Sequence, residues 1–439
     1  MKKIIIIALS LSIILGFLFW RFGPNITGMF SQKTETGPIS LTFWGLWEDE
    51  ALIKPVIDEY KKQNPNISVS YVRQSSINYR TRVQTQVREG VGPDVFMIHN
   101  SWLPMFTIDI QAAPEDVLTL SEYKSLFYPV AEESFVKNGQ IFAASSGIDG
   151  LALFVNEDIL GPVGGQIPKN WQEFRDYGIK MTTRDQLGIK TAGAAMGATA
   201  NVDHWSDILG ILLLQQPGVD LSNPATSYVA EVIKFYTDFV IDPSRKTWDT
   251  NLPSSTQMFA QGRLGFYFAP SWRAHELRLM NPNLKFKVVA IPQLSSQKTV
   301  NWATFWGLAV SKQSKFPKES WQFLKFLTSA EAEKIAYQEA AKIRLFGQPY
   351  SRIDLAKDLA DDPIVGAFVT QGPNYKFWYL ASDTFDNNGI NEEMIKYFED
   401  GINATLAGTN PQIALQTVAQ GVKQVLDKYN RQPTASPTN

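Results

Sequence analysis

The chain has 439 residues, 44% of them hydrophobic and 19% charged, with a formal net charge of −2. That length and apolar content argue for two or more folded units and against a disordered chain, and the even charge balance argues against a nucleic-acid partner. With no cysteine, disulfides, thiolate catalysis and thiol-linked lipid anchors are excluded; His99, His204 and His275 show no metal-ligand spacing, so neither a metal nor a cofactor is expected.

Lys2 and Lys3 precede an uncharged run over residues 4–20 that Arg21 ends. At about 1.5 Å per residue the run covers roughly 25 Å, slightly short of a ~30 Å hydrocarbon core, and snorkelling lysines with Trp20 at the interface can make up the difference. A cleaved signal peptide would carry a small-x-small site, whereas residues 16–22 are bulky. Residues 1–22 are therefore expected to be an uncleaved membrane helix with the body outside, and a cleaved signal is the alternative. Residues 23–38 are polar, punctuated by Gly and Pro, and read as a linker.

The body alternates strand and helix signals. Residues 39–44 alternate as a strand; Ile53, Val56, Ile57 and Tyr60 mark a helix with Pro55 inside it; Ile67, Val69 and Tyr71 form the next strand. Tyr79, Val83 and Val87 share a helical face that Gly90 ends, and residues 95–98 are an apolar run of the kind buried on both faces. This βαβαβ order predicts an α/β lobe with an open, mostly parallel sheet. The grammar continues with a strand at 151–155 and a capping box at Asn170 and Glu173. A helix follows Asn223-Pro224; strands are expected at 264–268, 285–291 and 305–310; and a helix is capped by Thr328 and Glu331. Met394, Phe398 and Ile402 mark a late helix, Val418, Val422 and Val425 the last one, and residues 433–439 read as a disordered tail.

Ligands of open α/β sheets bind outside the carboxyl ends of strands. Strand one ends at Trp44, followed by Gly45, Trp47 and Glu48; strand three ends at residue 98, followed by His99, Asn100 and Trp102. One rim thus receives flat rings and hydrogen-bonding groups together, in a chain with 12 Trp, 15 Tyr and 27 Phe. Any one of these tryptophans could equally be core.

The runs LTFWGLWEDEALIKPVIDEYKKQNPNISVSYV and VREGVGPDVFMIHN, then IFAASSGIDGLALFVNEDIL, QMFAQGRLGFYFAPSW and ESWQFLKFLTSAEAEKIAYQEA, resemble in this order the extracellular solute-binding proteins of family 1. That family includes the maltose-binding protein, and the similarity runs from about residue 40 to 430. It implies a two-lobed periplasmic-binding-protein-like fold of type II, with residues 39–147 and 308–346 in the N lobe and 148–307 and 347–432 in the C lobe. It places Trp44, Trp47 and Glu48 on the N-lobe rim, His99 and Asn100 in the loop after the third strand, and Asp149 beside a hinge. It further implies an aromatic platform at Trp272, Trp306 beside the second crossing, and Trp378 facing the cleft, with Trp205 a further candidate ring. Arg80 could reach the cleft but reads more simply as an exposed charge, and Arg344 lies in a segment that matches the family only loosely.

The resemblance implies a monomeric cell-surface receptor that captures a small solute, most simply a carbohydrate, by closing on it, and delivers it to the membrane subunits of an ABC importer. The lipidated Cys of many members is absent, a role the N-terminal helix could take. Three other readings stand beside this one: a glycan-acting hydrolase or lyase using Glu48 and Asp149, a polyamine-binding protein, and an adhesin or chaperone on the same fold.

Overall fold

A computed structural model describes residues 37–430. The expected membrane helix at 1–22, most of the linker, and the tail at 433–439 lie outside those residues. Among the described residues, no helix is long and apolar enough to cross a membrane.

The three apolar segments near the start form β1 (Ile39–Gly45), β2 (Ile67–Arg73) and β3 (Val95–His99). They run parallel in the order β2-β1-β3, with helices Glu50–Gln63 and Tyr79–Arg88 as crossovers. This is the expected βαβαβ unit, and Pro55 sits inside the first helix without ending it. Beyond β3 the pairing turns antiparallel. The late strand β14 (Trp306–Ser311) lies beside β3, and β4 (Ile110–Gln111) and β7 (Ala143–Ser145) pair with β14 in turn. A small hairpin, β5 (Val136–Lys137) with β6 (Gln140–Ile141), precedes β7.

The second sheet has the order β12-β8-β11-β10-β9, from β8 (Ala152–Asn156), β9 (Thr183–Asp185), β10 (Gly188–Ala194), β11 (Leu264–Ala269) and β12 (Phe286–Val289). Only β10 and β11 run parallel; the other pairs are antiparallel. The expectation of mostly parallel sheets is therefore corrected to mixed sheets. Every residue of β8 and β11 is buried. An apolar run buried on both faces looks the same whichever way its neighbour runs, so the pattern carried no direction. Helix Trp171–Met181 lies on this sheet where Gly178 meets Gly193: a Cβ at Gly193 would stand 1.8 Å from the Gly178 carbonyl oxygen.

Asn170 caps that helix, accepting from the Glu173 N–H at 2.9 Å, while Glu173 accepts from the Lys169 N–H at 2.8 Å. Two other caps fall elsewhere than expected: Thr226, not Asn223, starts helix Ser227–Ile241, and Ser329, not Thr328, starts helix Ala330–Ala341. In both places several residues with capping oxygens adjoin, and backbone geometry chooses among them.

The chain passes between the sheets at 146–151 and at 303–305, and the segment near 349 runs beside the first of these passages. These segments are laced together: Leu151 N–H donates to Trp302 O at 3.1 Å, Thr304 N–H to Asp149 O at 3.1 Å, Ser146 N–H to Trp306 O at 3.1 Å, and Ile148 N–H to Pro349 O at 3.0 Å. Gly150 is required here, since a Cβ would lie 1.9 Å from the Trp302 carbonyl oxygen. Beside the crossings β13 (Asn301–Trp302) pairs with β15 (Tyr375–Lys376). Residues 351–372, read from sequence as C lobe, pack instead on the first lobe: Phe127 bridges Arg352, Lys334 pairs with Asp358 at 2.9 Å, and the Tyr128 hydroxyl donates to Val369 O.

Asp149 fastens the first crossing to the second sheet. One carboxylate oxygen accepts from Gly150 N–H (2.8 Å) and Ser271 N–H (3.1 Å), the other from the Ser271 hydroxyl (2.7 Å). Burial raises its pKa to about 7, against the opposing pull of those donors. A carboxyl whose pKa is raised on folding holds more protons folded than unfolded, so its contribution to stability is lost as pH climbs from about 4 to about 7. Asp149→Asn keeps both backbone bonds and removes that titration. The melting-temperature difference, variant minus wild type, should rise between pH 4 and 7 and level off above; a difference independent of pH would show that Asp149 is charged throughout.

Candidate ligand site between the lobes

The strand ends deliver the site. β1 ends at Gly45, and two residues later Trp47 presents a ring that is 38% exposed. Glu48, next along, accepts a two-pronged ion pair from Arg344 at 2.7 and 3.2 Å. The Tyr71 hydroxyl donates to the Glu48 carbonyl at 2.6 Å and fixes that turn. β3 ends at His99, whose cross-strand partner is Trp306 at the start of β14. The register alone therefore sets the two rings together, 5.2 Å apart and edge to face. Trp306 also meets Trp47 at 5.5 Å and Trp102 at 5.1 Å, so it joins the rim to the buried floor.

His99 is 1% exposed, with Nδ1 beside the Ser101 hydroxyl (2.8 Å) and Nε2 beside the Thr304 hydroxyl (3.1 Å). Burial lowers its pKa to about 3, so the ring is neutral at physiological pH.

From the opposite lobe, β11 ends at Ala269 and delivers Trp272, 41% exposed. The Arg273 guanidinium sits 4.2 Å from its ring centre and covers one face. Arg273 Nε donates to Nε2 of His204 at 3.0 Å, while the other His204 nitrogen lies 2.9 Å from the Ser382 hydroxyl. Burial lowers the His204 pKa to about 4, and a neutral ring is what accepting from Arg273 requires.

Most of these groups line one cavity of about 390 Å³ that opens between the lobes. Of the candidates from sequence, Trp47, Glu48, His99, Asp149, Trp272 and Trp306 line it. Trp44, Asn100, Trp205 and Trp378 do not. Trp44 is 8% exposed within β1. Asn100 pairs with Phe305, donating its N–H to the Phe305 carbonyl and accepting the Phe305 N–H on its side chain, so it pins a crossing. Trp205 opens helix Trp205–Leu214 and is half-buried against the core. Trp378 packs on Tyr379 and Phe398, with ring centres 5.8 and 6.0 Å away.

Sequence reasoning missed Phe385, whose ring meets Trp47 at 5.4 Å, and Asp383; both line the cavity and both have positive φ. No periodic or motif signal marks such loop residues. Arg80 is no exposed charge: its side chain is 14% exposed and its Nε lies 2.7 Å from Asp386, 3% exposed, across the lobe boundary.

Chemically the cavity offers ring faces and hydroxyl-scale hydrogen-bonding groups. Glu48 and Asp149 are poorly placed as a hydrolytic pair, because Arg344 engages one and three donors saturate the other. Among the described residues, no cluster of three or more His, Asp or Glu side chains could hold a metal.

Comparison with known proteins agrees with this architecture. A binding protein of Brucella abortus is 23% identical over 311 residues, covering 68% of this chain and 73% of its own. The maltotriose-binding protein of Pyrococcus abyssi is 21% identical over 309 residues, covering 68% of this chain and 64% of its own. The crystal structure of the cyclic α-maltosyl-1,6-maltose binding protein of Arthrobacter globiformis superposes with a TM-score of 0.72 at 16% identity, over 89% of this chain and all of that one. The family model of the bacterial extracellular solute-binding proteins matches residues 46–334, well over half of the sequence, and the chain belongs to that family.

Proposed function

We propose that the protein is the extracellular receptor of an ABC importer and binds a sugar or oligosaccharide in the interlobe cavity. The observation that carries this reading is the pair of part-exposed tryptophans, Trp47 and Trp272, brought to one cavity from opposite lobes. A pyranose ring has an apolar face that stacks on such surfaces and an equator of hydroxyls that suits neutral donors and acceptors. Relatives named for maltotriose and for a cyclic maltosyl-maltose support the same ligand class. Trp47, Trp272 and Trp306 would supply faces, with Glu48, Arg344 and Asp383 reaching hydroxyls; Asp149 and His99 hold the frame. Micromolar affinity needs about −8 kcal/mol, within reach of two stacked rings and several hydrogen bonds after ordering costs.

The lobes would rotate about the laced crossings, the N lobe taking 39–147 and 308–346 and the C lobe the remainder of the body, apart from the 351–372 stretch seated on the N lobe. Residues 1–22 would hold a monomeric receptor at the outer face of the membrane, beside its importer. N-terminal sequencing of protein extracted from native membranes should return the start of the chain; a start between about residues 25 and 38 would mean cleavage at a signal site.

Thermal-shift screening of malto-oligosaccharides, mannotriose, polyamines and peptides should give stabilisation by sugars. With the best sugar, Trp47→Ala and Trp272→Ala should each weaken binding by about 1–3 kcal/mol with little change in melting temperature. Trp378→Ala, outside the cavity, should instead lower stability by about 3 kcal/mol and leave the affinity of the folded fraction unchanged. Stabilisation by polyamines or peptides and by no sugar would overturn the carbohydrate reading.

A further inference from the structure

The cavity does not stop at the cleft. It continues past Glu48 into the N lobe, between the face of β1 and the two helices Glu50–Gln63 and Ala330–Ala341. Phe43 and Tyr71 form its sheet side, Ile53 and Val56 its wall on one helix, and Ala336 and Tyr337 its wall on the other. Interiors normally close-pack, and a layer between sheet and helices is where side chains should interdigitate. Here the second helix brings Ala332, Ala336 and Ala340 to the lining, residues too short to fill the space.

One carboxyl group, that of Glu333, belongs to this mainly apolar lining. Glu333 is 7% exposed; its Oε1 accepts from the Ser351 hydroxyl, and its Oε2 is buried without a partner. Burial raises the Glu333 pKa to about 8, so near neutrality its carboxyl is largely uncharged and leaves this wall without an anion. The two helices are tied at the mouth: Glu48, two residues before the first, holds Arg344, three residues after the second.

We propose that this chamber is a second subsite, taking an apolar substituent, so that the full ligand is a glycoside whose sugar occupies the cleft and whose aglycone occupies the N lobe. The sugar half rests on the function proposed above; the chamber stands on its own lining.

The test uses the full-length protein in lipid nanodiscs, with methyl maltoside, hexyl maltoside below its micellar concentration, and 1-hexanol as a sugar-free probe, each corrected for binding to empty nanodiscs. Hexyl maltoside should bind at least tenfold tighter than methyl maltoside. 1-Hexanol should bind and should compete with the hexyl but not the methyl glycoside. Ala336→Phe, which fills the chamber, should bring the hexyl-to-methyl affinity ratio to near one, and Tyr337→Ala, which widens it, should extend the preference to octyl maltoside. Should Ala336→Phe fail to fold, the competition and the Tyr337→Ala result decide. Equal affinity for the two maltosides, or no saturable 1-hexanol binding, overturns the subsite. If neither maltoside binds but 1-hexanol binds and Tyr337→Ala alters its affinity, the chamber stands and the maltoside reading of the cleft fails.

Discussion

The site depends on one pairing: β14 returns from the second lobe and inserts antiparallel beside β3, Trp306 opposite His99. A strand from late in the chain completing an early sheet obliges the backbone to leave the first lobe and come back. The crossings at 146–151 and 303–305 follow from it, and their mutual hydrogen bonds follow from having to run side by side. The same register fixes the cleft floor, since it holds the Trp306 ring against His99, Trp102 and Trp47. Slipping β14 by one residue would turn Trp306 to the other face of the sheet and remove the floor altogether.

Charge in and around the cavity is largely paired before any ligand arrives. Arg344 holds Glu48, Arg273 is shared among Trp272, His204 and Glu276, and His99 is kept neutral by burial. A charged solute would leave one of these groups uncompensated on entry, at a cost that rises as water is excluded. A neutral polyol disturbs none of them, and each paired group still has lone pairs or N–H bonds to offer. The pattern suits selection for hydroxyl geometry and ring shape over charge.

Much of the architecture was legible because its signals are local. The alternating segments read at 39–44 and at Ile67, Val69 and Tyr71, and the apolar run at 95–98, became the first three strands, and Asn170 with Glu173 made the expected cap. Rings directly after strand ends, Trp47 and Trp272, reached the cavity. What failed was non-local. Strand direction is invisible in an apolar run. Trp378 lies in a loop and turns onto Tyr379 and Phe398, and Trp205 opens a helix and packs against the core, so a ring's place in sequence did not tell cleft from core. Arg80 looked like an exposed charge because its partner, Asp386, is contributed by the other lobe. Phe385 and Asp383 reach the cavity through left-handed backbone in a loop, where neither periodicity nor composition speaks.

Apart from the crossings, several contacts join the lobes: the Arg80–Asp386 pair, the Trp47–Phe385 rings, and the Ser101 hydroxyl donating to Asn391 at 2.6 Å. They bear on how the receptor releases its cargo. Each must break for the lobes to separate, and an ion pair as buried as Arg80–Asp386 contributes more than an exposed one only while both partners stay dry. Opening rehydrates both charges and returns much of that energy, so this pair biases the lobes toward closure by less than its closeness suggests. A small bias is what a delivering receptor needs. Under the proposed function, strong closure without ligand would present an empty receptor to the importer in the form of a loaded one. Strong opening would lower apparent affinity in proportion to the scarcity of the closed state. The pair and the ring contact lie at the lobe boundary beside the cavity, and Trp47 serves both, so a ligand stacking on that ring acts on the same surface that holds the lobes together.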